Sequence, residues 1–287
     1  MHVPVMLDES LEYLAIRPEG LYIDATCGLA GHTRAIAERL TTGRVYACDR
    51  DAESLELARQ NTVDVGDWVR FVNTSFSRLT ESLRQAGLQK ASGLLADLGI
   101  SRYQLTAAER GFSIQNEGAL DMRMDRSQGP SAYDLVNFTS EKELADLIYR
   151  LGEERRSRRI SRALVRARPI HTTTQLARVI EEAVPRTGRL HPATLTFMAI
   201  RMAVNGEQEE LDSLLEQAPD LVGPGGRIVV ISFMSLEDRK VKESFRSLAQ
   251  SGRAVLLTRH VVTPTEREVE ANMPSRSAKL RAVEISA

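Results

Sequence analysis

With 287 residues, the chain exceeds the usual single-core domain, which suggests one large α/β domain with a second element, or two domains. Its 42% apolar and 27% charged residues are ordinary for a soluble globular protein and exclude disordered and fibrous classes. The formal net charge of −1 supplies no general attraction to nucleic acid, so any such contact has to come from a local cluster of cations.

The opening MHVPVMLDES has neither the basic flank nor the apolar stretch of a signal peptide. No later run reaches the roughly 20 apolar residues of a membrane span, so a cytoplasmic location without membrane contact is expected. Next, apolar β-like runs alternate with helical segments. GLYIDAT, GRVYACDRD, VRFVNTSF and SGLLADLGI read as strands, and HTRAIAERL and AESLELARQN carry apolar residues at helical spacing. Either Asp51 or Asp49 can cap the second of these helices. The alternation predicts a parallel sheet with right-handed crossovers. Cys27 and Cys48 lack the spacing of a disulfide framework or a zinc site, so reduced thiols and no metal are expected.

After Ile100 the strand rhythm stops until GGRIVVISF, and the interval reads as a loop followed by helices. SEKELADLIYRL opens with a Ser140/Glu143 capping box and sets Leu144, Leu147, Ile148 and Leu151 on one face. Residues 150–168, RLGEERRSRRISRALVRAR, are dense in arginine with only Glu153 and Glu154 opposing. TTTQLARVIEEAV carries Leu176, Val179, Ile180 and Val184 before Pro185 stops it, and HPATLTFMAIRMAV starts with Pro192 in its first helical turn. The α/β pattern resumes with LVGPGGRIVVISF, a helix through VKESFRSLA, a strand AVLLTRHVV and a last strand KLRAVEIS. The expected organisation is a discontinuous α/β domain, residues 1–105 and 210–287, with an all-helical domain, residues 106–209, inserted for substrate recognition.

The turn after the first strand, Asp24-Ala25-Thr26-Cys27-Gly28-Leu29-Ala30-Gly31-His32, has glycines that let backbone amides approach a nucleotide-like ligand. It is not the G-x-G-x-x-G dinucleotide fingerprint; an acid before a loose glycine turn looks more like methyltransferase motif I. The plainer role of Gly28 and Gly31 is to shape a tight strand-to-helix turn. Asp49 ends the second strand, where a carboxylate can accept hydrogen bonds from both ribose hydroxyls of an adenosine, or cap the next helix. Asp97 ends the fourth strand beside the expected switch point. Pro224-Gly225-Gly226-Arg227 reads as a turn before the fifth strand.

These residues become a pattern when taken together. Asp24-Ala25-Thr26 with Gly31-His32-Thr33, and Ala96-Asp97-Leu98-Gly99-Ile100-Ser101 with Gln104-Leu105, resemble the ribosomal RNA small-subunit methyltransferase H family, cytosine-N4-specific and MraW-like. The likeness runs through Leu120-Asp121-Met122-Arg123-Met124-Asp125, Gly152-Glu153-Glu154-Arg155 and His191-Pro192-Ala193-Thr194 to Ser235-Leu236-Glu237-Asp238-Arg239 and Arg276-Ser277-Ala278-Lys279. It implies a class I methyltransferase, Rossmann-like, parallel-dominated sheet and S-adenosylmethionine as cofactor. It also implies a cofactor site of Ala30, Gly31, His32, Asp49, Phe76, Asp97 and Gln104. Phe76 would pack on the adenine face, its plainer role being a core aromatic, and Gln104 would reach polar atoms of the methionine end. The implied reaction is methyl transfer to the N4 amino group of a cytidine in 16S ribosomal RNA. The partner is then RNA within the small ribosomal subunit, a homodimer stays open, and no residue is singled out as catalytic.

Among the departures from the family pattern, which include Arg102-Tyr103 and Leu195, two matter. Its glycine pair before histidine is here Ala30-Gly31, where the added methyl is tolerable if φ stays negative. Its S-F-H-S-L-E-D-R is here Ser232-Phe233-Met234-Ser235-Leu236-Glu237-Asp238-Arg239, which removes a titratable ring. Methyl transfer from a sulfonium depends chiefly on alignment, and acceptors at Asp97 or the Leu98-Gly99 carbonyls can pyramidalise the amino group. The arginine cluster fits a phosphate-binding face, the plainer role being a solvated helix with pairs such as Glu154-Arg158. A DNA amino-methylase is disfavoured because Asp97-Leu98-Gly99-Ile100 replaces the D-P-P-Y or N-P-P-Y motif of that class. A small-molecule enzyme leaves the arginines unexplained. A ribosome-assembly factor that keeps the fold with weak or no turnover stays as the alternative.

Overall fold

The computed structural model describes residues 4–186, 188 and 190–287. The chain forms two compact units, one of Met1–Ile100 with Glu209–Ala287 and the other of Ser101–Gln208. The first unit opens with α1 (Leu7–Leu14), β1 (Leu21–Asp24), α2 (Gly31–Ala37), β2 (Arg44–Asp49), α3 (Ala52–Asn61), β3 (Val69–Asn73), α4 (Leu79–Gln85) and β4 (Ala91–Asp97). Helix α1 lies outside the expected elements, because only Leu11 and Leu14 mark its buried apolar stripe, too few to reveal a helical period. Asp51 rather than Asp49 caps α3, its side chain accepting the Glu53 and Ser54 amides.

The second unit holds α5 (Arg102–Thr106), α6 (Ala132–Phe138), α7 (Glu141–Gly152), α8 (Ser157–Ala167), α9 (Thr173–Ala183) and α10 (Thr194–Asn205). Among its described residues the β pairing is limited to an isolated bridge between Ala119 and Thr172. The Ser140/Glu143 box caps α7 as expected. Pro192 falls before α10 rather than inside it, since Ala193 is the N-cap. The loop carrying Asp121 to Asp125 is fastened from within: Asn205 of α10 bonds the Met122 carbonyl at 2.7 Å and the Met124 amide at 2.8 Å. Arg110, fully buried, donates to the carbonyls of Arg123 and Met124 at 3.0 and 3.1 Å. The backbone polar groups of this motif are thus satisfied by Asn205 of α10 and by Arg110.

The chain returns through α11 (Glu207–Leu221), then β5 (Val222–Ser232), α12 (Ser235–Gln250), β6 (Ala254–Leu256), α13 (Glu266–Ala271) and β7 (Lys279–Ile285). The seven strands form one sheet in the order β3-β2-β1-β4-β5-β7-β6. Neighbours among β1 to β5 run parallel, and β7 lies antiparallel between β5 and β6. This is the class I methyltransferase, Rossmann-like sheet anticipated from the sequence. Leu94 faces a core with Ile23, Leu83 and Val230, while Leu95 faces the opposite core with Leu14, Ile36 and Val229. Burial on both faces is why these strands read as unbroken apolar runs.

Helix α11 falls in the interval read as helices, although Pro219 inside it masks its own signal. Two expectations change. Pro224-Gly225-Gly226 does not precede β5 but bulges out of it. Ala91 pairs with Val222 and Gly93 with Arg227, while Gly225 takes a φ of 69° that favours glycine. The strand expected through AVLLTRHVV holds only Ala254–Leu256. Beyond it the Thr258 hydroxyl accepts the Ala282 amide at 3.0 Å in place of a backbone carbonyl, and Val262 rejoins the sheet as an isolated bridge.

Candidate functional site

Strand order reverses between β1 and β4, so the carboxyl ends of these strands flank the crevice where open α/β sheets bind ligands. Asp24, Asp49 and Asp97 are the last residues of β1, β2 and β4. Asp24 is buried, and its Oδ2 accepts Thr33 Oγ1 at 2.6 Å while its Oδ1 accepts the Thr26 amide at 3.2 Å. That carboxyl thus pins the strand end to the first turn of α2. Gly28 sits at φ 52° and donates its amide to Asp49 Oδ2 at 2.8 Å, and Asp49 Oδ1 accepts the Asp51 amide at 2.9 Å.

Ala30 is left-handed, with φ 69° and ψ 27°, so the condition of a negative φ for its methyl is not met. The turn forces this. Its amide donates to the Cys27 carbonyl at 2.7 Å, and its own carbonyl already accepts the Arg34 amide at 2.9 Å to start α2. For a residue with a Cβ this conformation costs about 1–2 kcal/mol. At Gly31 a Cβ would stand 2.5 Å from Pro4 Cγ, which explains why the second glycine is kept.

His32 is buried in the first turn of α2, its Nε2 3.1 Å from the Val5 carbonyl and its Nδ1 3.9 Å from Asp97 Oδ2. The Asp97 amide donates to Thr26 Oγ1 at 2.6 Å. Asp97 Oδ1 is buried without a hydrogen-bond partner among the described residues. Phe76 opens a short 3-10 turn after β3 and packs half-buried against the core, its carbonyl accepting Gln217 Nε2 at 2.8 Å. Thus Ala30, Gly31, His32, Asp49 and Asp97 come together around the β1 turn, with Phe76 two residues beyond Thr74, whose amide bonds the Asp49 carbonyl at 2.9 Å.

Gln104 belongs to the second unit. Its Oε1 accepts the Ser101 amide at 2.9 Å and its amide donates to Ser101 Oγ at 3.2 Å, a capping box for α5. The sequence assigned no role to Thr26, Thr33 or Glu237. The Asp24-x-Thr26 spacing, an Asx turn, is the signal for the first. Glu237 Oε2 accepts the amides of Phe233 and Met234, both at 3.1 Å, so it closes the start of α12.

Electrostatically the crevice is short of cations. Burial pushes the Asp24 carboxyl up to about 6, against the opposing hydrogen bonds from Thr33 and Thr26. Asp49 is likewise pushed up to about 6, first by burial and then by the negative charges of Asp51 and Asp24. Asp97 is raised well above the carboxylate range by burial, with Asp24 and Glu237 adding repulsion. A cationic ligand with hydroxyl groups relieves both strains, drawing the acids toward their charged forms and filling the orphaned acceptor.

In the second unit, Arg155, Arg158 and Arg159 are exposed, and among the described residues no carboxylate holds them. The suggested Glu154-Arg158 pair does not form. Glu154 lies before α8 begins, is buried, and accepts Arg156 Nε at 3.0 Å and its Nη2 at 3.1 Å. No helix among the described residues is long and apolar enough to cross a membrane.

The sequence pattern of the MraW methylase family matches residues 1–286. A protein named ribosomal RNA small subunit methyltransferase H from Solibacter usitatus is 61% identical over 285 residues, covering 99% of this chain and 100% of that one. Its namesake from Koribacter versatilis is 50% identical over 293 residues, covering 98% and 93%. The crystal structure of an rRNA methylase from Streptococcus thermophilus aligns over 100% of both chains with a TM-score of 0.48 and 12% identity.

Proposed function

Because the chain belongs to the MraW methylase family, we propose that it transfers a methyl group to the N4 amino group of a cytidine in 16S ribosomal RNA of the small subunit. S-adenosylmethionine is its cofactor, and when bound it supplies an electrophilic methyl on a sulfonium. The observation that carries the reading is the crowding of Asp24, Asp49 and Asp97 at the switch point, with Asp97 Oδ1 orphaned and buried. That set suits a cationic, hydroxyl-bearing ligand and does not suit an anionic one.

Within the first unit, Asp49 would take the ribose hydroxyls on the lone pairs left by Gly28 and Asp51. The Ala30-Gly31-His32 turn would carry the ligand on its backbone, and Phe76 would offer a ring face. Asp97 would accept hydrogen bonds with the oxygen that now has none. The target amino group is a weak nucleophile because its lone pair is shared with the ring. Acceptors at Asp97 and at the Leu98-Gly99 carbonyls would pyramidalise it, and the proton can leave to solvent after the bond forms. The base has to leave its stack to be reached, and the exposed arginines of α8 suit the phosphates of such a strand.

The test incubates purified protein and labelled S-adenosylmethionine with unmethylated small subunits, naked ribosomal RNA and DNA, and identifies the product nucleoside by mass spectrometry. N4-methylcytidine from the ribosomal substrates is the expected product. Label on another nucleoside, or on DNA alone, overturns the assignment, and binding without turnover favours the assembly-factor alternative.

A further inference from the structure

Helix α12 of the first unit presents different charges to its two neighbours. Toward α11 it presents Lys240 and Glu243 opposite Asp212 and Glu216, and Lys240 is already held by Asp212 at 2.7 Å. Toward β6 and β7 it presents Lys242 and Arg246, which line a small cleft together with Thr258, Arg259 and Arg281. Arg281 is engaged: Asp238 binds its Nε at 2.6 Å and its Nη2 at 3.2 Å. Arg246 and Arg259 are exposed and Lys242 half-exposed, and among the described residues no carboxylate pairs with these three. Four cations therefore meet one carboxylate, Asp238 of the same helix, which is already taken by Arg281.

Such one-sided clustering on a chain of net charge −1 is the footprint of an anion partner, since mutual repulsion of the cations is otherwise uncompensated. Guanidinium forks at Arg246 and Arg259, with the mobile ammonium of Lys242 between α12 and the sheet edge, match the oxygens of a phosphate. Arg281, locked by Asp238, gives the cleft a fixed floor whose charge is already balanced.

We propose that this cleft is a phosphate-binding site that takes a phosphodiester of the RNA substrate, separate from the cofactor turn. The proposal rests on the ribosomal RNA reading. Its test compares wild type with a Lys242→Ala/Arg246→Ala/Arg259→Ala variant, leaving Arg281 in place because Asp238 depends on it. Filter binding to unmethylated small subunits across a salt series reports how many phosphates the protein neutralises, and calorimetry with S-adenosylmethionine reports the fold. Losing the one phosphate that the three side chains neutralise together lowers the log–log salt slope by about 0.7 to 0.9, with cofactor affinity unchanged. Equal slopes, in a wild type that does bind subunits, overturn the cleft and leave the ribosomal reading standing. If the wild type binds neither subunits nor RNA, the ribosomal reading itself fails. A titration with inorganic phosphate, followed by NMR, separates the sources: phosphate shifts at Arg246 and Arg259 without an RNA-dependent slope reassign the site to a free anion and overturn the RNA proposal.

Discussion

The carboxylate of Asp49 closes the turn that begins at Gly28: one oxygen accepts the Gly28 amide at 2.8 Å, across 21 positions of sequence. Its second oxygen accepts the Asp51 amide, so the side chain is oriented before any ligand arrives. Replacing Asp49 by Ala removes a preorganised charge-assisted interaction worth roughly 1.5–3 kcal/mol. Cofactor binding is expected to weaken about 10- to 150-fold. Calorimetry on a variant with native circular dichroism checks this, and unchanged affinity sinks the ribose assignment.

The same residue sets a pH dependence. Its carboxyl is pushed up to about 6, and a cation-binding, hydroxyl-accepting role needs the charged form. Affinity for S-adenosylmethionine is therefore expected to be full above that value and to fall as pH drops through it, by up to about tenfold per pH unit for one proton. Asp49→Asn should flatten the profile. For stability without ligand the sign is opposite. A carboxyl raised from 3.8 to about 6, as at Asp24, favours folding below 3.8 and loses that contribution as pH rises through 6. Affinity that increases on acidification would exclude the assignment.

Ala30 occupies a left-handed position, at φ 69°. Ala30→Gly relieves a Cβ clash of about 1–2 kcal/mol and adds back some unfolded-state entropy, for a net gain near 1 kcal/mol. Urea denaturation should register it as a higher midpoint at constant slope. A lower midpoint would mean that the methyl packs well enough to outweigh the backbone.

At the start of α8 and just before it, neutralising Arg155, Arg158 and Arg159 should weaken RNA or subunit binding and flatten its salt dependence by about 0.7–0.9 for each phosphate no longer neutralised. Cofactor affinity should stay nearly intact. Identical slopes in filter binding would return these side chains to a solvated face.

Met234 caps nothing with a titratable group, since Glu237 already binds the amides at the start of α12. A thioether takes no proton near neutral pH, so acid-base chemistry worth about 10²–10⁴-fold cannot come from this position. If alignment carries the reaction, Met234→His changes single-turnover rate by less than about tenfold. A hundredfold gain at unchanged cofactor affinity, on the order of general acid-base catalysis, would assign chemistry to the missing ring.

Much of the molecule was legible in the chain because its signals are local. The βα alternation of the first hundred residues, the strand-terminal Asp24, Asp49 and Asp97, and the Ser140/Glu143 box each depend on residues a few positions apart. Tertiary structure decided what depends on distant partners. Cys27, the Asp49 side chain and the Asp97 amide bond across 21 to 71 positions, and these bonds set the β1 turn beside Asp49 and Asp97. Glu154 turned to Arg156 because α8 begins too late for the pair with Arg158. Lys242 and Arg246 of α12 meet Arg259 and Arg281 only because β6 and β7 lie against that side of the helix. A sequence records which groups are available, whereas burial and the desolvation that raises these carboxyls exist only once remote segments have closed over them.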